Sequence, residues 1–152
     1  MIPIVAAILL SGQTIGDLPP DCSKAMTTPE VNACQLLDRQ RETARMERYL
    51  SAARTRARAL DEASESDRQR SHVEVYLQTS QKAWEAYAAI VCDGVYDQWK
   101  GGTVRHAMYL GCQTEMTRER TRVIWRDYLT YADSTPPVLP EPVEQATDAP
   151  KE

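Results

Sequence analysis

Val73-Glu-Val-Tyr-Leu77-Gln-Thr-Ser80-Gln-Lys-Ala-Trp84-Glu-Ala-Tyr87-Ala-Ala-Ile-Val91-Cys92 is the stretch whose reading decides the fold. Val73, Leu77, Ser80, Trp84, Tyr87 and Val91 recur at alternating steps of four and three, the spacing that lines one side of an α-helix and packs it against partner helices. Upstream, Ser66 as N-cap with Gln69 three residues on forms a capping box. Downstream, Gly94 after Asp93 can take the left-handed conformation that closes a helix. Ser80 breaks the apolar run. With no His or Lys beside it on that face, it reads as a small residue admitting a bulky neighbour and not as a nucleophile.

Two further helices flank this one. Thr28-Pro29-Glu30 opens the first: Thr28 as N-cap, Pro29 at the first helical position, and Glu30 at the positive end of the dipole. Met46, Tyr49, Leu50, Ala53, Ala57 and Leu60 then form one stripe, and the polar segment Asp61 to Asp67 turns the chain back. After the central helix, Val95 to Thr103 reads as a loop carrying Tyr96, Trp99 and the paired Gly101 and Gly102, whose backbones are free of side-chain restriction. Thr103 caps a third helix with Met108, Cys112, Met116, Val123, Ile124, Tyr128 and Tyr131 inward. Gly111 within it is either a local weakness or a close helix contact. No run of period two occurs. The fold expected is all-α, a long helical hairpin plus a third helix in a small bundle.

The ends differ from this body. Met1-Ile-Pro-Ile-Val-Ala-Ala-Ile-Leu-Leu10 is apolar but too short to span a bilayer. Residues 1–16 therefore read as a signal-peptide-like segment despite the missing basic start, with no stable membrane insertion after its removal. The helical domain follows over 17–133. From Ser134 the chain is rich in proline and poor in large apolar groups, so 134–152 reads as a disordered acidic tail. That tail holds Glu141, Glu144, Asp148 and Glu152 against Lys151, hence most of the formal net charge of -4. It serves either as a solubilising extension or as a spacer.

Composition excludes some functions. An acidic chain with a pI near 5.3 lacks the basic face that nucleic acid demands. Arginines crowd 39–58 and 118–126, but acidic residues are interleaved, which suits a solvated helix face better than an anion-binding stripe. There is no Phe. Three Trp and seven Tyr carry the bulky packing instead, and their polar tips need partners or solvent.

The four cysteines, Cys22, Cys34, Cys92 and Cys112, lack the C-x-x-C spacing of a redox or zinc motif, and only His72 and His106 could add nitrogen ligands. Neither a metal nor a cofactor is implied. Disulfides suit an exported chain. Pairing Cys22 with Cys34 would pin the arm before the first helix, and pairing Cys92 with Cys112 would clamp the Tyr96 and Trp99 loop. Four cysteines nevertheless allow three pairings.

Asp21-Cys22, Thr28-Pro29-Glu30-Val31-Asn32-Ala33-Cys34, Gln81-Lys82-Ala83-Trp84, Tyr87, Cys92, Gly101-Gly102-Thr103, Cys112, Thr117 and Arg120, in that order, resemble the LprI-like secreted four-cysteine domain of lysozyme-inhibitor type. The resemblance spans roughly Asp21 to Leu129. It implies an exported, helical, disulfide-bonded bacterial protein of the periplasm or the exterior and, for one branch, inhibition of lysozyme. Thr43, Met46, Glu47 and Leu50 stand where the family usually has Asp, Leu, Asn and Tyr, and Ala88-Ala89 replaces its Arg-Asp pair. Gln81, Trp84, Gly101, Gly102 and Thr103 read as packing and loop geometry.

The function expected is a non-catalytic protein-binding module. A cationic lysozyme-type muramidase is the partner that an acidic surface would attract. Asp93, Tyr96, Asp97, Trp99 and Lys100 are the candidate contacts, because exposed aromatics beside charges suit a small interface. Two alternatives stand beside it. One is a hydrolase of cell-wall glycans using Asp93 and Asp97, which lacks a placed base, nucleophile or metal. The other is a structural role for the second helix as a coiled-coil partner.

Overall fold

The computed structural model describes residues 20–64 and 70–143; the signal-peptide-like segment, Ser66, Gln69 and the end of the tail lie outside them. A 3-10 turn, Cys22–Lys24, precedes three helices: α1 (Thr28–Glu62), α2 (Val73–Gln98) and α3 (Arg105–Ile124), the last continued by a π-helical turn, Trp125–Leu129. Glu42 meets Arg118 and Arg56 meets the Tyr128 carbonyl, so α1 and α3 run parallel. Met46 meets Gln81 and Arg58 meets Glu74, while Gln81 meets Arg120 and Cys92 joins Cys112, so α2 runs antiparallel to both. The result is an up-down-up bundle.

The start of α1 is displaced by one residue from the expectation. Its N-cap is Thr27, Pro29 falls second in the helix, and Glu30 reaches back to accept from the N–H groups of Thr27 (2.9 Å) and Met26 (3.0 Å). These bonds, that from Thr27 foremost, hold the Glu30 carboxyl below its ordinary pKa. Further along, Met46, Tyr49, Leu50, Ala53 and Ala57 bury against Leu77 of α2 and against Ile124 and Leu129. Leu60 is exposed, because α1 there has passed beyond the bundle's last apolar layer.

The turn into α2 is capped by α1 itself. Asp61 accepts from the Val73 N–H (2.8 Å), the Glu74 N–H (3.1 Å) and the Ser71 hydroxyl (2.7 Å). The helix therefore starts at Val73, not at Ser66, with its orphan donors satisfied from a neighbouring element. Nor does it stop at Gly94. It continues through Gln98, and no described glycine has positive φ, so Gly94 stays helical at a cost of about 1 kcal/mol relative to alanine. Leu77, Gln81 and Cys92 are its buried residues, with Trp84 half-buried against the core; Tyr87, expected in this seam, faces solvent.

The inner face of α3 departs furthest from expectation. Its N-cap is Val104, not Thr103, and its buried residues are Thr114, Thr117, Arg120, Thr121 and Ile124. Met108 and Tyr131 are exposed. Cys112, Met116, Val123 and Tyr128 are only half-buried. Each buried threonine donates its hydroxyl to the carbonyl four residues back: Thr114 to Leu110 (2.9 Å), Thr117 to Gln113 (2.7 Å) and Thr121 to Thr117 (2.8 Å). A hydroxyl satisfied within its own helix can face a core without a partner across it. At Gly111 a Cβ would lie 3.6 Å from Gln35 Oε1, an ordinary contact, so α1 and α3 approach closely without requiring glycine.

The disulfides are Cys22–Cys34 and Cys92–Cys112. In the chain-entropy account each closes a short loop worth about 3 kcal/mol.

The Pro-rich segment is not a free tail over its first ten residues. The Val138 N–H donates to Leu129 O (2.8 Å), Trp125 Nε1 to Leu139 O (2.9 Å), the Tyr49 hydroxyl to Pro140 O (2.7 Å), and Arg45 to Val143 O (2.8 Å). Leu139 packs on the core and Pro142 is buried. Proline's pre-set φ lowers the entropy lost on ordering, and the carbonyls find donors on α1 and past α3. Several arginines likewise do structural work that the solvated-face reading missed. Arg56 closes the end of the π-helical turn by donating to Tyr128 O (2.6 Å) and Thr130 O (2.8 Å), with its guanidinium 4.1 Å from the Tyr131 ring centroid.

Candidate functional site

Both helix-start signals and both cysteine pairs bring their surroundings to one end of the bundle. There the start of α1, the end of α2 and the start of α3 border an open cleft of about 550 Å³, lined by Thr28, Pro29, Asn32, Gly101, Gly102, Thr103, Arg105 and His106. The Asn32 Oδ1 is buried and takes no hydrogen bond within the protein. Gly102 is the more closely surrounded of the paired glycines, without requiring glycine. Its N–H donates to Trp99 O (2.8 Å), and a Cβ there would come to 3.4 Å from that oxygen. Gly101 has open space around it.

Asp93, Tyr96, Asp97, Trp99 and Lys100 occupy the last turns of α2 and the residues after it, so the first part of the expected loop, through Gln98, is helix. They divide by role. Tyr96 is a strut: its ring lies edge-on to His106 (centroids 5.3 Å) and Tyr109 (5.9 Å), with the Arg105 guanidinium 5.7 Å from its centroid. Asp97 and Lys100 pair at 2.8 Å, which raises the Lys100 pKa, and Arg105 donates to the Lys100 carbonyl (3.0 Å). Trp99 is the aromatic offered to solvent, 40% exposed, and Asp93 is exposed one turn and a half before it. Among the described residues no cluster of three His, Cys, Asp or Glu could hold a metal ion.

Below the cleft, the polar residues that carried the resemblance meet each other. Arg120 donates through Nε to Gln81 Oε1 (2.9 Å) and through a terminal nitrogen to Ser80 Oγ (3.1 Å), while Gln81 Nε2 donates to Glu85 (3.1 Å). The neighbour that Ser80 admits is thus the Arg120 guanidinium. Burial lowers the Arg120 pKa, and the two acceptors offset only part of its desolvation. Beside this pair, buried Glu42 is bound by Arg45 (2.8 Å) and Arg118 (3.4 Å). Burial opposes the Arg118 charge, but Glu115 and Glu42 outweigh it and raise the pKa. Glu42 gave no signal in the sequence. An acidic residue in an arginine-rich stretch looks like surface until the third helix is placed on it.

The architecture and the ordered motifs have a counterpart among known families. The family model described as "Lysozyme inhibitor LprI" matches residues 21–123. The chain belongs to the LprI lysozyme inhibitor family. An uncharacterised protein of Rhizobium meliloti (strain 1021) is similar to it, 27% identical over 103 residues that cover 67% of this chain and 74% of the relative. No solved structure matches. Within the LprI match fall both disulfides, the Gln81–Arg120 pair and the whole cleft; the π-helical turn and the Pro-rich segment lie beyond it. Two disulfides indicate an oxidising compartment, and no helix among the described residues is long and apolar enough to cross a membrane.

Proposed function

We propose that this protein is an exported, non-catalytic binding module of the periplasm or the exterior that inhibits a lysozyme-type muramidase with the disulfide-flanked end of its bundle. Membership of a family described as lysozyme inhibitors carries the reading. Trp99 is the anchor, since an exposed indole among charged neighbours loses little entropy and gains much area on docking. Asp93 and the net negative charge speed the encounter with a cationic enzyme. Tyr96, although an early candidate for contact, supports the site from behind.

The test is calorimetric binding of the oxidised protein to a panel of lysozyme-type muramidases, with a bacterial-cell lysis assay alongside. Saturable binding that weakens about tenfold or more in Trp99→Ala supports the reading. Helical content should stay unchanged. Absence of binding and of inhibition across the panel sinks it.

A further inference from the structure

Gly94 has no explanation within one copy of the molecule. It lies inside α2, needs no positive φ, and a Cβ built on it meets nothing within 4 Å. It ends a second stripe on α2, turned away from buried Leu77, Gln81 and Cys92 and bordering the packed face at Ser80: Tyr76, Ser80, Ala83, Tyr87, Ile90 and Gly94, spaced four, three, four, three, four. That is the spacing of a helix-pairing seam, with no charged residue at any of its positions. Tyr76, Tyr87 and Ile90 are 71, 60 and 73% exposed along it, with neighbouring Val75 at 59%.

We infer that α2 pairs through this stripe, antiparallel, with α2 of a second copy of this chain. A two-fold axis passing beside Glu85, between Ala83 and Tyr87, brings Tyr76 of each copy against Gly94 of the other, Ser80 against Ile90, and Ala83 against Tyr87. Every large residue then faces a small one. Such self-complementarity is what an isologous interface requires, because one patch must fit itself. The area agrees: with aromatic side chains offering about 150–250 Å² each, one copy presents roughly 500 Å² of apolar surface here, and two together about the 1,000 Å² that a specific interface needs. The stripe does not include the cleft or Trp99, so a dimer leaves that end of each bundle free.

Sedimentation velocity of the full oxidised chain over a wide concentration range tests this. The wild type should show a reversible monomer–dimer equilibrium. Gly94→Leu should weaken it about tenfold or more, since the partner's Tyr76 loses its space. The same change favours the helix, so loss of folding is not the cause. Adding Tyr76→Ala to Gly94→Leu should restore association by reversing which side is large. Ile90→Lys should abolish it. A monomer at every concentration overturns the inference, as does a dimer indifferent to Gly94→Leu or one that the compensating change fails to rescue.

Discussion

The two halves of the bundle are held together by different physics. In the half nearer the α1–α2 turn, Tyr49, Leu50, Ala53, Ala57, Leu77, Ile124 and Leu129 form a contiguous apolar cluster under the Pro-rich strap. In the half that carries the cleft, the buried residues are Cys34, Cys92, Glu42, Thr114 and Thr117, with the Arg120–Gln81 pair at the boundary. Covalent bonds and paired charges replace hydrophobic burial there. An end held this way keeps aromatic and apolar groups, Trp99 among them, that the core does not need.

The largest expected effect breaks the contrast directly. Replacing Cys92 and Cys112 with Ser should cost about 3 kcal/mol in denaturant unfolding. Hydrogen exchange should show protection lost around Tyr96 and Met108 but kept around Leu77 and Ile124. Uniform loss along the chain would mean that the halves are not separately supported. The next effect sharpens the boundary. Gln81→Leu removes one of the two acceptors of the buried Arg120 guanidinium and should cost about 2 kcal/mol. Arg120→Leu added to it should recover part of that loss, since a matched apolar pair is better than a buried charge short of an acceptor. If the double variant is less stable than Gln81→Leu, the Gln81–Arg120 bond is not what holds the middle layer.

The smallest effect compares the ends through pH. Glu30 caps α1 beside the cleft, and Asp61 caps α2 at the opposite end. The Thr27 and Met26 N–H groups hold the Glu30 pKa down, and the Ser71 hydroxyl foremost, with the Glu74 and Val73 N–H groups, holds down that of Asp61. A carboxyl with a lower pKa folded than unfolded stabilises at neutral pH, and that stabilisation fades as pH falls through the ordinary carboxylate range, about 4, toward the folded value. Melting temperature followed downward in pH should therefore fall less steeply in Glu30→Gln and in Asp61→Asn than in the wild type. Equal slopes in all three would show the caps to be energetically idle. Glu30 is exposed and Asp61 only half-buried, so the effect is small.

How much of this was legible beforehand depends on the kind of residue. Apolar spacing revealed three helices, and Met46 through Ala57 emerged as core because aliphatic periodicity is a direct record of burial. The same rule failed on α3. Its buried threonines satisfy themselves locally and its buried arginine is satisfied from α2, so polarity there does not mean solvent. Gly94 and the Ser66–Gln69 pair misled about where α2 begins and ends, because Asp61 supplies the start from another helix and nothing at Gly94 forces a turn. The residues of the candidate site were legible as neighbours along one stretch of chain. Its division of labour, with Tyr96 as strut and Trp99 as the exposed face, and the Asn32 acceptor in the cleft required the third dimension.

The strap is gripped by its main chain. Leu139, Pro140 and Val143 are each held through a carbonyl oxygen, and Val138 through its amide. Such an element can change most of its side chains without losing its seat, which gives it little to conserve. The family match ends at residue 123, yet the folded body runs on to Val143. Anyone trimming the chain to the boundary that sequence likeness suggests would cut away Trp125, Leu129 and Leu139, and uncover the ring of Tyr49.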